Sequence, residues 1–234
     1  MSQKTKYVGL GAFGLFIICF VIELVSVLSG IGNVGDSGKY TADFVILLVV
    51  QIIASLAFIA NSVVGMMKIV KQGDLDATFR RASDGVGGFG AYLAFIAIYT
   101  LILMSRIYGE YGMTYKVPAV AIIMLVLAII AAGLAIVGSI KQIPLTSPIR
   151  CLLLAVASLL LFVVSIITIT QGNQRALTIV EYVFLMIALV AFIVFAYFCY
   201  DDQKGNPRVS HNKSEEDFMM EENDYQAEDW EDNN

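Results

Sequence analysis

Glu23 and Glu181 stand inside long apolar runs of the chain, and ionisable groups in that setting are the first candidates for chemistry. A charge within hydrocarbon costs roughly 2.5 kcal/mol or more, so a carboxylate kept there is expected to be neutral, paired or facing a wet cavity. Gln51, Thr100 and Arg106 fall at comparable depth when their runs are laid out as helices rising about 1.5 Å per residue. The five residues form a candidate polar site for a cation or a proton, opening outward.

Other chemistries lack their residues. The one histidine, His211, lies near the C-terminus, and there is no His-Glu-x-x-His, no Gly-x-Ser-x-Gly and no acidic pair within an apolar run. No enzyme activity, cofactor or metal is expected, and the basic groove features that would point to nucleic acid are missing. Gly-x-Gly-x-x-Gly occurs twice, at 9–14 and 85–90. Dinucleotide binding, however, requires a strand before that loop and a free helix N-terminus, and these glycines sit within or at the mouth of apolar runs.

A packing role explains the glycines better. Lipid gives helices no hydrophobic reason to associate, so small residues let their backbones approach. Gly9, Gly11 and Gly14 are expected to pack the first helix, and Gly85, Gly87 and Gly90 the third, where Ala94 and Ala97 continue the stripe. Ala57, Asn61 and Gly65 make a similar stripe on the second helix, and Ala131, Ala135 and Ser139 one on the fourth.

The elements that must position these residues follow from composition. Of 234 residues 58% are hydrophobic and 15% charged, against roughly 45–50% and about 25% in soluble domains. The excess arrives in six runs, 7–30, 44–67, 86–105, 117–140, 151–171 and 177–200. Each is near the ~20 residues that cross roughly 30 Å of hydrocarbon, and none alternates as a barrel strand would. The expected fold is all-α, a polytopic bundle of six transmembrane helices over residues 1–200 in contact with lipid. The first run is expected to be retained, because it exceeds the usual apolar length of a cleaved leader and contains Glu23.

Eleven Lys and Arg residues fall on the side of the termini and four on the other: Lys39, Arg106, Lys116 and Arg175. This bias predicts cytoplasmic N- and C-termini, with the plasma membrane as the expected location. The cytoplasmic stretch 68–84 reads as a linker or a short interfacial helix with Leu75 and Phe79 toward lipid and Arg80 and Arg81 near headgroups. Cys19, Cys151 and Cys199 are expected to pack as thiols rather than form disulfides.

Two further features organise the chain. The segment 9–16 aligns without gaps on 85–92, and Val64-Gly65-x-x-Lys68 resembles Val137-Gly138-x-x-Lys141, which suggests tandem two-helix hairpins. Residues 201–234 carry twelve acids and three bases, a net −9, which leaves +4 for the membrane part of a chain whose total is −5. This cytoplasmic acidic tail is expected to be disordered, with Phe218, Met219, Met220, Tyr225 and Trp230 as docking residues for a protein partner. The leading functional expectation is a non-enzymatic scaffold, accessory subunit or assembly factor. The alternative is a small transporter or channel subunit that uses the polar site.

Overall fold

The structure, a computed structural model, describes residues 1–30, 40–140, 147–171 and 176–204. The described residues are helical throughout apart from short connections, and six helices are long and apolar enough to cross a membrane. They are α1 (Gln3–Gly30), α2 (Thr41–Met67), α3 (Leu75–Glu110), α4 (Ala119–Ser139), α5 (Pro148–Thr170) and α6 (Ala176–Lys204). This is the helical bundle of a multi-pass membrane protein. Each helix packs on the next, and α6 closes onto α1 to complete a ring.

Local signals account for the helix ends. Gly73 takes a left-handed φ of 58° after a π-helical turn, Lys68–Gln72, that extends α2. Asp74 then caps α3, its carboxylate accepting from the Ala77 N–H at 3.0 Å. Ser147 precedes α5 with Pro148 at its first position, and Pro118 precedes α4, both placements where a missing N–H costs nothing.

The reading of 68–84 is corrected by these signals. There is neither a linker nor a separate interfacial helix: α3 begins at Leu75 and runs for 36 residues, roughly 54 Å at about 1.5 Å per residue, well beyond the bilayer core. Leu75 and Phe79 are buried in the protein rather than turned to lipid. Arg80 pairs with Asp76 at 3.3 Å, and the Arg81 carbonyl accepts from the Asn61 side chain at 3.0 Å. α6 likewise runs four residues past its expected end. Phe218, Met219, Met220, Tyr225 and Trp230, with the rest of 205–234, lie outside the described residues, as do Lys39 and Arg175.

The glycines divide by face. A Cβ on Gly90 would stand 2.9 Å from the Ala128 carbonyl oxygen and 3.0 Å from the Ala132 nitrogen, and one on Gly87 3.1 Å from the Ala135 Cβ, so α3 and α4 meet backbone to backbone. Ala131 and Ala135 are fully buried at this seam. Gly65 lies against the Phe13 ring, Gly9 against Ile69 and Phe195, and Gly85 near Asn61. Gly11 and Gly14 have open space where a side chain would stand, and Ala57 is exposed, so these three do not pack helices. α2 instead buries Ser55, Phe58, Ser62 and Gly65, a face rotated from the expected stripe. The aligned glycines of the two hairpins therefore occupy unlike surroundings.

Aromatic rings fill the centre. Phe16 meets Phe20, Phe192 and Phe89 edge to face, with centroids 4.8, 5.6 and 6.2 Å away, and Phe58 packs on Phe20 at 4.6 Å. Such geometry sets the positive ring edge against the negative face and ties α1, α2, α3 and α6 together.

Two polar clasps close the end that carries the termini. Arg150 is 1% exposed; its Nε donates to the Gly138 carbonyl at 2.7 Å, its Nη1 to Asp76 at 2.6 Å, and its guanidinium lies 5.2 Å from the Phe79 ring centre. One side chain thus joins α3, α4 and α5 while satisfying a carbonyl at the negative end of α4. Across the ring, Asp202 of α6 accepts from the Ser2 N–H at 2.6 Å and the Thr5 hydroxyl at 2.9 Å, capping α1 from another helix and placing the start of α1 beside the end of α6.

Gly90→Ala is expected to lower stability by about 1–3 kcal/mol through overpacking, whereas Gly11→Ala raises it by about 0.5–1 kcal/mol through helix propensity. Thermal unfolding in detergent compares them; equal effects would refute the seam. Asp76→Ala leaves a buried guanidinium without its carboxylate and is expected to cost about 3 kcal/mol. Arg150→Met should cost less, about 1–2 kcal/mol, because it removes the buried charge itself and leaves Asp76 partly solvated and paired with Arg80. The reverse order in chemical denaturation would contradict this assignment.

Candidate functional site

Toward the end of the bundle opposite the termini, α1, α2, α3 and α6 part around a cavity of about 160 Å³. Its polar lining comprises Glu23, Ser26, Gln51, Tyr92, Thr178, Glu181 and Tyr182. Val27, Phe89, Leu93 and Ile96 form the apolar wall. Phe89 also belongs to the aromatic cluster, so that cluster abuts the cavity.

Glu23 is held on both sides. It is 7% exposed, and its Oε1 accepts from the Tyr92 hydroxyl at 2.5 Å while its Oε2 accepts from the Ser55 hydroxyl at 3.1 Å. The two donors come from α3 and α2, so the carboxylate is fixed by neighbouring helices rather than by its own turn. Each oxygen retains acceptor capacity beyond those bonds. Glu181 differs: it is half-buried, lines the same cavity and makes no hydrogen bond or ion pair with the described residues.

Glu23, Gln51 and Glu181 are thus brought together, while Thr100 and Arg106 are not. Thr100 is half-buried on α3 and does not line the cavity. Arg106 lies 3.5 Å from Asp43, which also accepts from the Tyr99 hydroxyl at 2.9 Å. The physical reason is that α2 starts at Thr41, so its first turn carries Asp43, where a carboxylate is favoured by the helix dipole and draws Arg106 to the α2–α3 side. Sequence reasoning missed Ser55, Tyr92 and Tyr182 because hydroxyls and phenols in apolar runs read as ordinary helix or interface residues. Tyr92 lies two residues past the second glycine motif and so falls on a helix already known to be closely packed, the only signal available.

Cys19, Cys151 and Cys199 are buried free thiols. Cys151 borders an apolar groove of about 410 Å³ between α5 and α6. Among the described residues no three His, Cys, Asp or Glu side chains are grouped so as to hold a metal ion. No family model, curated protein or solved structure matches the chain.

Lined this way, the cavity offers two carboxyl groups, further hydrogen-bond acceptors and aromatic rings, and no lysine or arginine among the described residues. Tyr92→Phe, which takes a donor from a buried carboxylate, is expected to cost about 1–2 kcal/mol, while Tyr197→Phe on the exposed face of α6 is neutral. Equal melting temperatures for these two variants would mean that the Tyr92 bond to Glu23 contributes nothing.

Proposed function

We propose that this protein is a non-enzymatic membrane transporter or channel subunit that receives a small cation in the cavity between α1, α2, α3 and α6. The supporting observation is that Glu23 and Glu181 share one cavity, one carboxylate held by two donors and the other without a hydrogen-bond partner among the described residues. Acidic side chains kept at this depth face water-filled space or a bound cation, since lipid penalises their charge. The distribution of Lys and Arg favours a plasma-membrane topology with both termini cytoplasmic and the cavity toward the outside.

A scaffold, accessory or assembly role is the second reading. The bonds of Asp202 to Ser2 and Thr5 favour it in one respect, since they fix the point from which the acidic tail leaves the bundle. That reading assigns the partner to the tail and the cavity to packing.

Reconstituted vesicles separate the two. With the full chain, electrically driven cation uptake is expected, and Glu23→Gln should reduce it at least tenfold with folding preserved by circular dichroism. A chain ending at Lys204 should keep that uptake. No uptake by the full chain, or uptake indifferent to Glu23→Gln, would remove the transport reading.

A further inference from the structure

The lining of the cavity contains more than charge, and its other half restricts what fits. We infer that the ligand is a small alkylammonium, a compact amine carrying one positive end and a short apolar body, rather than a metal ion or an amino acid. The inference rests on the cation reading above and names the class of cation.

Size comes first. About 160 Å³ accommodates a compact ligand together with a few waters. A bare divalent ion seeks six to eight oxygens and several carboxylates, and the cavity supplies two, with no third acid, thiol or imidazole grouped with them among the described residues. An amine of about five heavy atoms enters the same space without needing such a shell of oxygen ligands.

The arrangement of the wall agrees. An ammonium has three N–H donors and no acceptor, and Glu181, the free lone pairs of Glu23 and the Gln51 carbonyl are acceptors around one space. Phe89, Tyr92 and Tyr182 add aromatic rings to the lining, and a ring face within about 6 Å attracts a cation, more strongly when water is excluded. Val27, Leu93 and Ile96 give the alkyl part an apolar surface, whereas a metal ion would leave that half of the lining unused. An amino acid fails for the opposite reason. Its carboxylate would meet Glu23 and Glu181, with no lysine or arginine in the described lining to receive it.

The test uses the purified full chain in detergent, titrated calorimetrically with butylammonium, 4-aminobutyrate, sodium and potassium. Saturable butylammonium binding is expected, at least tenfold tighter than 4-aminobutyrate and not displaced by either metal ion at equal concentration. Glu181→Gln, which breaks no hydrogen bond among the described residues, should weaken it at least tenfold, and Tyr197→Phe on the lipid face should leave it unchanged. If Glu181→Gln misfolds, Thr178→Val supplies the second variant at the cavity and should weaken binding at least threefold. Binding of sodium or potassium as tight as that of butylammonium would overturn the alkylammonium class while leaving the cation reading intact. Binding of none of the cations, or amine binding indifferent to both cavity variants, would overturn both.

Discussion

Hydrocarbon solvates a leucine as well as a neighbouring helix does, so burying apolar side chains between helices brings little net gain, and this bundle must hold together by other means. It uses contacts that lipid cannot imitate: backbone approaching backbone at Gly87 and Gly90, rings meeting edge to face around Phe16, and hydrogen bonds whose partners have no competing water. Each depends on distance and angle rather than on area. Many large aliphatic residues, Ile53, Ile102, Ile129 and Leu152 among them, consequently face outward, and the buried set is rich in alanine and phenylalanine.

The polar groups are distributed unequally along the bundle axis. At the end with the termini they are spent on closure: Arg150 binds three helices and Asp202 caps a fourth. At the other end Glu23 is fixed, but Glu181 beside it has no bonding partner among the described residues, and space is left between them. The phenylalanine cluster lies between the two ends, continuous with the cavity through Phe89. One end is therefore built for cohesion and the other retains acceptors not consumed by the fold.

Much of this architecture could be read from residue order, because runs of some twenty apolar residues leave few other structures open. The limits of that reading are equally physical. The first turns of α3 alternate charged and apolar residues, so hydropathy assigned them to a connection, although Gly73 and Asp74 carry the stop and start signals of two helices. Arg150 read as a topological charge at a helix entrance, since its burial depends on how α3 and α4 approach α5. Spacing along one helix identifies a face but not which face meets a neighbour, and for that reason Ala57, Gly11 and Gly14 were expected at contacts they do not make. Depth along the axis is easier to infer than azimuth. Thus Glu23, Gln51 and Glu181 were assigned a common layer, whereas Arg106 shared the depth but turned to Asp43.

Closure of the ring through α1 and α6 bears on how the molecule is assembled. A chain entering the bilayer from its N-terminus presents α1, α2 and α3 early, yet the fourth wall of the cavity, with Glu181 and Tyr182, belongs to α6, the last of the described helices. Until α6 arrives, one flank of α1 lacks Phe192 beside Phe13 and Phe16, and Glu23 has its donors but no enclosure. Completion of the polar chamber and docking of the end of α6 on the start of α1 are thus a single event, and a nascent chain that has not yet delivered α6 is without the chamber.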